Sequence, residues 1–566
     1  MLDATALCYT LALAIGLLAS LVATGVMQSL AHRVGFIDRP DGGRKNHKRP
    51  VALGGGLAVY AAMLAGVGVA YGFAKYQGID ILNAASLGGY DLPILRGLLV
   101  ASTLTVLLGL LDDRFALRGR YKLLGQVGIA GYLIYCGLQI TQVGAFGEVH
   151  QLGWVGVPIT LVWILGTVNA INLIDGIDGL ASSVGAVLCL TVAAITGLHG
   201  HFAEAVIVLA LAGALLGFLR YNFAPASIYL GDTGSMLIGL VVGVLAVHTS
   251  NKAPAAVAMA VPFAVWSVPI LDSAAAILRR KLTGRSLFAA DRGHLHHSLL
   301  TRGWSVPQAA MFITLICATT CLAAVLSVMW QSELVAIGIV LAVVVFLICT
   351  KTFGHIEFSL MSNRVRESAA TLSRSRAAAP VAKQRSVQLQ GSREWQRLWA
   401  AMTEAADDYS LVKMKLSISI PRLHEVFYGA WESATRGAAD PDNCWRVSHP
   451  IFVQGQKVGE VELLGSPDAA RSAGRGQPAG GAAMAEQSTP SHMIQVLEFL
   501  EPIEEDVRHI SEQISADQAH AVADRPSLIR VPALADPAAA PHDPAAAPHG
   551  PAALPQEPAA PPAAAP

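Results

Sequence analysis

The chain has 566 residues, of which 53% are hydrophobic and 14% charged, and its 40 Lys and Arg residues balance its 40 Asp and Glu residues. A mean hydropathy of +0.49 is far above that of a soluble domain, so the composition excludes an ordinary soluble protein. We expect a membrane protein with no nucleic-acid partner. The apolar part ends near Thr350, and a polar part follows it.

Eleven segments before residue 350 are apolar and long enough to be candidate membrane spans, each of which needs about 20 residues. They lie near residues 6–31, 51–73, 95–111, 123–140, 153–169, 180–198, 202–219, 234–249, 254–278, 307–330 and 333–350. The first segment lacks a basic leader and ends in a basic loop, unlike a cleaved signal peptide. The sequence therefore predicts an all-α polytopic membrane protein with about eleven transmembrane helices.

Basic residues fall almost entirely in alternate loops between these segments. The loops on one side hold 17 Lys or Arg residues, and those on the other hold two, Lys75 and Lys252. The basic side consists of loops 32–50, 112–122, 170–179, 220–233 and 279–306. Because basic residues in short loops remain cytoplasmic, we predict an N-terminus outside and a cytoplasmic C-terminus. The membrane is expected to be the cell inner (plasma) membrane.

The polar part divides into three predicted segments after the transmembrane domain of residues 1–350. Residues 351–392 form a Ser/Arg/Ala-rich linker, 393–515 an accessory α/β domain, and 516–566 a disordered Ala/Pro-rich tail. In the accessory domain the patterns predict helices at 394–406, 421–434 and 496–514. Strands are predicted at 411–420 and across 452–464, with a turn at Gly455-Gln456-Lys457.

Four polar clusters lie on the predicted cytoplasmic side, at or near the ends of apolar segments. Any single acidic residue there is explained equally well as a helix cap or a solvated loop residue. Acids are costly at membrane depth, however, so a set that converges on one face favours a functional site. The clusters are Asp112 with Asp113; Asn169, Asn172, Asp175 and Asp178; Asp232; and His294, His296 and His297.

These residue types suit phosphoryl transfer between two anions. Two unit charges 4 Å apart repel by about 4 kcal/mol at an effective dielectric of 20, so a divalent cation is expected to bring two phosphates together. Carboxylates are the ligands that Mg²⁺ prefers, with Mn²⁺ as the alternative cation. Two glycine-containing turns, Asp175-Gly176 and Gly231-Asp232, precede apolar helices whose N-termini can face an anion, although such pairs are also common in plain turns.

Five motifs follow one another along the first 350 residues. They are DRPDGGRKNHKRPVALGGG, DDRFALRGRYK, NAINLIDGIDGLA, NFAPASIYLGDTGS and PILDSAAAILRRKLTGRSLFAADRGHLHH. In this order they closely resemble the polyprenyl-phosphate N-acetylhexosamine-1-phosphate transferases, the WecA/TagO-like branch of the superfamily that contains phospho-MurNAc-pentapeptide translocase. The resemblance covers about residues 10–350. It implies an eleven-helix fold, Mg²⁺ dependence, and attack of undecaprenyl phosphate on the β-phosphate of UDP-GlcNAc with release of UMP.

The resemblance also implies a role for each matching residue. Asp112 and Asp113 would be the essential pair near the lipid phosphate, with Asp112 as proton acceptor, and Asp232 would be the principal Mg²⁺ ligand, supported by Asn172. The residues that would line the nucleotide and metal site, or contact the diphosphate or sugar, are Asn172, Asp175, Asp178, His294, His296 and His297. Because the histidine run is shorter than in the pentapeptide translocases, a plain N-acetylhexosamine donor is favoured.

Basic residues in the matching segments are candidate phosphate contacts: Lys45, His47, Arg118 and Lys122. Membrane anchoring under the positive-inside rule explains each of them equally well. Asp272 lies inside the ninth predicted span, where pairing with Arg279 or Arg280 and a catalytic role are both open.

Alternatives to this function remain at the level of sequence. One is the same reaction with another UDP-N-acetylhexosamine as donor. Another is a transporter, because transporters also have intramembrane carboxylates, although these carboxylates lie near the bilayer midplane and often in inverted repeats. A scaffold that has lost its active site is a third hypothesis, but no essential aspartate is missing. The expected partners are a UDP-N-acetylhexosamine, undecaprenyl phosphate and membrane lipid. A homodimer and a protein partner for the C-terminal segment stay open.

Overall fold

The computed structural model describes fifteen stretches of the chain, and all structural statements below concern these residues. They are 2–38, 50–78, 91–145, 148–250, 260–282, 294–354, 361–362, 383–390, 394–406, 409, 411–420, 425–433, 444–453, 455–465 and 489–523. Lys45 and His47, two of the candidate phosphate contacts, lie outside them, as do residues 524–566 of the predicted tail.

Twelve helices form the described part of residues 2–349. They are α1 Leu2–Val34, α2 Gly55–Tyr76, α3 Asp91–Phe115, α4 Gly119–Tyr135, α5 Gly156–Ile174, α6 Leu180–Leu198, α7 Phe202–Asn222, α8 Gly231–Ser250, α9 Ala260–Leu282, α10 Leu295–Thr301, α11 Val306–Met329 and α12 Glu333–Cys349. Each of the eleven predicted spans falls on one of the long helices. The short helix α10, in the loop before α11, was not predicted.

Within the described residues, eight of these helices are long and apolar enough to cross a membrane: α1, α2, α3, α5, α6, α7, α8 and α11. Helix α12 is apolar but shorter. The protein is therefore a polytopic, mostly helical membrane protein, as the sequence predicted.

Small residues let the helices of this domain approach closely. Gly213 and Gly217 lie one turn apart on α7, and a methyl group added to either would collide with a backbone carbonyl of α1, that of Leu13 or Leu17. Since lipid tails are as apolar as leucine, close backbone packing of this kind is a main source of helix association in membranes.

Large aromatic side chains are exposed at helix ends on the predicted outer side. Tyr76 ends α2, Tyr135 ends α4, Trp154 precedes α5 and Trp330 follows α11, with exposed fractions of 86%, 88%, 82% and 62%. Tyr and Trp concentrate at membrane–water interfaces because one end of each side chain is apolar and the other polar. The placement fits an interface at this end of the helices.

Short strands occur in two of the loops. Strands β1 (Ile37–Asp38) and β2 (Val51–Ala52) pair antiparallel between α1 and α2, and β3 (Gln142–Ala145) pairs with β4 (Glu148–Gln151) before α5. Ala52 also bridges to Ile228, in the loop that leads to α8. This bridge ties the first loop to the segment before Asp232.

The C-terminal part contains a five-stranded antiparallel sheet in the order β5-β7-β6-β9-β8. Its strands are β5 Lys383–Gln390, β6 Leu411–Ile420, β7 Glu425–Glu432, β8 Trp445–Val453 and β9 Gln456–Gly465, and its helices are α13 Glu394–Ala405 and α14 Thr489–Ala523. On β6 the buried Met414, Leu416 and Ile418 alternate with the exposed Lys413 and Lys415, so one face of the sheet is apolar.

The sheet corrects several predictions for this region. Residues 421–434 were predicted as a helix, but the structure has strand β7 there, in which Glu425, Phe427 and Trp431 are buried with a period of two. Strand β5 lies within the predicted linker and pairs with β7. Helix α14 extends to Ala523, into the predicted tail. The strands predicted at 411–420 and 452–464 are present.

Candidate active site

Asp113 lies at the end of α3 and caps the start of α8. Its carboxylate accepts the backbone N–H groups of Asp232 at 2.8 Å and Thr233 at 3.2 Å, and the Thr233 hydroxyl at 2.6 Å. The first N–H groups of a helix have no partner within the helix, so a carboxylate there stabilises the helix and holds its first turn in place.

Glycines allow this close approach. A methyl group on Gly109, one turn before Asp113 in α3, would collide with the backbone of Thr233. Gly56 at the start of α2 lies equally close to the backbone of Gly234. Three helices thus meet at the first turn of α8, and Asp232 projects from that turn.

Lys122 lies at the centre of the polar cluster. Its ammonium group is 2.9 Å from Asp112 Oδ2 and forms an ion pair with Asp232 Oδ2. It also donates a hydrogen bond of 2.9 Å to Asn172 Oδ1. The side chain is only 14% exposed, so Lys122 is directed into the cluster rather than toward solvent.

Asn172, on α5, completes the contacts of Asp232. Its amide nitrogen donates to Asp232 Oδ1 at 2.7 Å and to Ser235 Oγ at 3.0 Å. Asp112 accepts one further hydrogen bond, from the backbone N–H of Leu117 at 2.8 Å. Residues from α3, α4, α5 and α8 are therefore joined around one ammonium group and two carboxylates.

A second pair of polar side chains, one helical turn away, supports the contact between Lys122 and Asn172. Asn169 donates to Gln126 Oε1 at 2.7 Å, and Gln126 donates back to Asn169 Oδ1 at 3.4 Å. Because Gln126 follows Lys122 by four residues and Asn169 precedes Asn172 by three, the pair lies beneath the contact between Lys122 and Asn172. It fixes α4 against α5.

The loop between α5 and α6 contributes Asp175 and Asp178. Asp178 accepts the backbone N–H of Ala226 at 2.9 Å, which joins this loop to the one before α8. Among the described residues none donates a hydrogen bond to the Asp175 carboxylate. Burial raises the pKa of Asp175 well above its ordinary value, and the carboxylates of Asp232, Asp113 and Asp178 raise it further.

Helix α10 brings the histidines to this loop. The rings of His294 and His296 are stacked with centroids 5.8 Å apart and planes 6° apart, and the centroids of His296 and His297 are 4.3 Å apart. A methyl group on Gly176 would collide with the His296 ring, so the imidazole rests on the loop between Asp175 and Asp178. Burial, and then His297 and His294, lower the pKa of His296 well below its ordinary value.

Two other candidate residues are placed differently from the cluster. Arg118 precedes α4 and is exposed to solvent. Asp272 is buried and contacts His294 at 2.9 Å and the backbone N–H of Leu295 at 2.8 Å. The sequence left open both pairing of Asp272 with Arg279 or Arg280 and a catalytic role, and a histidine partner was not predicted.

Several residues that contribute to the candidate site were not predicted from the sequence. Thr233 and Ser235 stand beside Asp232 in the motif GDTGS, and Gln126 lies one turn after Lys122, but their partners are more than 40 residues away in sequence. Local spacing therefore carries no signal for these contacts. Lys122 was predicted as a candidate phosphate contact or a membrane anchor, and its contacts with Asp112, Asp232 and Asn172 were not predicted.

The groups of this cluster that could hold a cation offer oxygen atoms, which are the ligands of hard divalent cations such as Mg²⁺. In the described part of the chain, no three Asp, Glu, His or Cys side chains form a metal-binding group. Mg²⁺ is typically held by one or two carboxylates together with substrate phosphates and water. Asp232 and the Asp175 carboxylate, which accepts no hydrogen bond from the described residues, supply oxygen ligands of that kind.

Comparison with known proteins points to the same part of the chain. The profile of glycosyl transferase family 4 matches residues 95–250, which include Asp112, Asp113, Lys122, Asn172 and Asp232. A probable undecaprenyl-phosphate N-acetylglucosaminyl 1-phosphate transferase of Bacillus subtilis (strain 168) is 31% identical over 318 residues, 56% of this chain and 84% of that protein. The chain belongs to this family of transferases.

Two other relatives of the family are similar to the same extent. A decaprenyl-phosphate N-acetylglucosaminephosphotransferase of Mycolicibacterium smegmatis is 33% identical over 366 residues, 59% of this chain and 87% of that protein. An undecaprenyl-phosphate alpha-N-acetylglucosaminyl 1-phosphate transferase of Escherichia coli (strain K12) is 28% identical over 299 residues, 51% of this chain and 76% of that protein. A large part of this chain lies outside each match.

Proposed function

We propose that the protein transfers N-acetylglucosamine 1-phosphate from UDP-GlcNAc to undecaprenyl phosphate and releases UMP. The observation that carries the proposal is the contact of Lys122 with Asp112, Asp232 and Asn172, at helix ends on one side of the membrane domain. The three relatives are named for transfer of N-acetylglucosamine phosphate to a polyprenyl phosphate. Membership of the family supports the same general reaction here.

The reaction is a direct displacement at phosphorus. An oxygen of the lipid phosphate attacks the β-phosphorus of the nucleotide sugar, the bond from that phosphorus to the bridging oxygen breaks, and UMP leaves with the electron pair. The nucleophile is already anionic, so the protein has to position it and offset charge rather than activate it covalently. Asp112 would take a proton from the lipid phosphate, and Lys122, 2.9 Å from Asp112, would neutralise negative charge next to it.

Asp232 and Asp175 are the residues that would hold Mg²⁺, with Asn172 beside them. The bound cation would supply positive charge to the phosphates. Mn²⁺ takes the same oxygen ligands and would substitute for it. His296 lies against the loop that carries Asp175. There it and its neighbours His294 and His297 would contact the diphosphate or the sugar.

Donor and acceptor assays test this proposal. Membranes that contain the protein are incubated with UDP-GlcNAc, UDP-GalNAc or a deoxy-N-acetylhexosamine nucleotide and with undecaprenyl phosphate, and UMP release and the lipid product are measured. We expect GlcNAc 1-phosphate on the lipid. Preference for another donor would replace the sugar but keep the reaction, whereas no UMP with any donor would overturn the function.

A second experiment tests the proposed metal site by substitution of Asp232 and by chelation. Asp232→Asn keeps the size of the side chain but removes the anionic ligand, so we expect it to abolish UMP release while the protein remains folded in the membrane. EDTA should have the same effect on the wild type, and Mg²⁺ or Mn²⁺ should restore activity. Normal turnover in either case would contradict the metal assignment.

A covalent aspartyl-phosphate on Asp112 or Asp113 is the alternative route. It predicts that the protein becomes labelled when it is incubated with UDP-sugar carrying a labelled β-phosphate in the absence of lipid. We expect no label on the protein. A labelled peptide containing either aspartate would replace direct displacement by a two-step reaction.

We place the active site and the C-terminus on the cytoplasmic side of the cell inner (plasma) membrane, where UDP-sugars are available. The product would then start a cell-envelope polysaccharide. In this arrangement residues 1–350 form the catalytic domain. The C-terminal sheet, with β5 as its first strand, modulates activity or binds a protein partner.

A further inference from the structure

The contact between Asp272 and His294 lies outside the cluster around Lys122. Asp272 Oδ2 is 2.9 Å from His294 Nδ1, and Asp272 Oδ1 accepts the backbone N–H of Leu295 at 2.8 Å. Both side chains are almost completely buried, at 2% and 5% exposure. One carboxylate on α9 thus holds both a histidine side chain and the first backbone N–H of α10.

The chemistry of this contact fixes the hydrogen on the ring. Asp272 Oδ1 accepts the hydrogen bond from Leu295, and an ionised carboxylate can only accept through Oδ2 as well, in which case His294 Nδ1 carries the hydrogen and donates it. Nε2 is then the ring nitrogen left for another partner. In a buried site, the hydrogen bond made by one ring nitrogen decides which form the other nitrogen takes.

The same contact sets the position of the next histidine. His296 lies on α10 two residues after His294, stacks on its ring, and rests against Gly176 in the loop that carries Asp175. Its imidazole is 2% exposed, and neither ring nitrogen has a hydrogen-bond partner in the described part of the chain. A shift in the first turn of α10 would move this ring off the loop.

We propose that Asp272 is a positioning residue for the transfer reaction. It holds the hydrogen of His294 on Nδ1 and keeps α10 seated over Gly176, so that the histidines face the substrate in one orientation and one tautomer. This role rests on the proposed function, since the histidines are placed there as contacts for the diphosphate or sugar. Asp272 itself acts through His294 and touches no substrate.

A purely structural role is the competing explanation, and the chain offers a matched control. Glu204 at the start of α7 and His248 near the end of α8 form another buried carboxylate–histidine contact, 3.3 Å apart with 0% and 4% exposure. Breaking a buried polar contact destabilises a protein wherever the contact lies. Glu204→Gln should therefore reproduce any loss of stability without an effect on chemistry.

Asp272→Asn changes the tautomer of His294 but keeps the hydrogen bond that anchors the first turn of α10. The asparagine oxygen can still accept the Leu295 N–H, and its NH₂ group then faces Nδ1, which must become an acceptor and transfer its hydrogen to Nε2. We expect kcat to fall by about 100-fold or more, and KM for UDP-GlcNAc to change by less than about threefold. In a serine protease triad, a wrong histidine tautomer lowers kcat by a comparable or larger factor. Asp272→Glu keeps a carboxylate, so its kcat should be at least about tenfold higher than that of Asp272→Asn.

Hydrogen exchange supplies a readout that does not depend on turnover. Asp272→Ala removes the acceptor for Leu295, so the peptides that cover 295–301 should exchange faster than in the wild type, whereas Asp272→Asn should keep their protection. Glu204→Gln should leave both kcat and the exchange of α10 at wild-type values.

Three results would overturn the positioning role. They are an unchanged kcat in Asp272→Asn, an unchanged exchange of α10 in Asp272→Ala, and an equal loss of kcat in Glu204→Gln. A wild type that releases no UMP would instead overturn the proposed function, and the exchange data would still decide whether Asp272 holds α10.

Discussion

The carboxylate of Asp113 accepts two hydrogen bonds from Thr233, one from the hydroxyl at 2.6 Å and one from the backbone N–H at 3.2 Å. This relationship separates Asp113 from its neighbour Asp112, which contacts Lys122 instead. The family resemblance treats the two aspartates as one pair near the lipid phosphate. In the structure one of them caps α8 and the other faces the ammonium group of Lys122.

The first prediction follows from this division. Asp113→Ala should destabilise the folded protein by about 0.5–2 kcal/mol, the cost of a lost helix cap, and should also reduce turnover because Asp232 loses its fixed position. Asp112→Ala should reduce turnover with a smaller loss of stability, because Lys122 keeps Asp232 as an ion-pair partner and α8 keeps its cap. Thermal unfolding in detergent and UMP release measure the two effects. Equal changes in stability for both variants would contradict the division of roles.

Lys122 provides the second prediction. Lys122→Met keeps most of the length of the side chain but leaves Asp112 and Asp232 without their common cation. Turnover should therefore fall by about 100-fold, or about 2.7 kcal/mol of barrier. The matched control is Arg120→Gln, which removes an exposed positive charge from the same loop. It should retain turnover within about threefold, since exposed charges contribute little. Similar losses of turnover in both variants would mean that turnover depends on the total charge of the loop and not on the contacts of Lys122.

The third prediction concerns the contact between Gly176 and His296. Gly176→Ala should lower turnover by about tenfold or more, because the added methyl group must displace the imidazole from the loop that carries Asp175. Gly166→Ala in α5 is the control, since a methyl group there has no neighbour within 4 Å. UMP release at matched abundance compares the two. Full activity of Gly176→Ala would show that the position of His296 is not needed.

Membrane spans could be predicted well from the sequence, because an apolar run of sufficient length is a local property. The approximate site could also be predicted, since its acids stand at the ends of such runs. Strand β7 could not: residues 425–432 include the helix-compatible Glu425, Ala430 and Glu432, and their strand conformation depends on pairing with β5 and β6. Contacts such as that of Asp272 with His294 join distant segments and leave no local pattern.

Orientation is the fourth prediction. Cysteine introduced at Gly200, in the turn between α6 and α7, should react with an impermeant thiol reagent from outside intact cells. Cysteine at Ser286, in the most basic late loop, should react only after the inner face is made accessible, because basic loops remain cytoplasmic. The parent protein with its native cysteines provides the background. Labelling of Ser286→Cys from outside would invert the topology.

The C-terminal part provides the fifth prediction, which tests how far the catalytic unit extends. The side chains that surround Lys122 and those of α10 all precede Thr350. The sheet has a core of its own, in which Trp395 and Trp399 of α13 are buried and Trp395 donates to Glu425 Oε2 on β7 at 2.7 Å. Three lysines of the sheet, Lys413, Lys415 and Lys457, each pair with a glutamate of the sheet, as in the contact of Lys415 with Glu462 at 2.8 Å.

Truncation after about residue 360 should therefore leave catalysis largely intact. The variant removes the whole sheet and its helices at once, so it leaves no exposed part of that core behind. Turnover of the full-length and truncated proteins is compared at matched membrane abundance and should agree within about threefold, less than 0.7 kcal/mol of barrier. A drop of a hundredfold or more, about 2.7 kcal/mol, would mean that residues beyond 360 complete the active site. An intermediate drop that is reversed by adding the separate C-terminal part would instead identify that part as a modulator of the transferase.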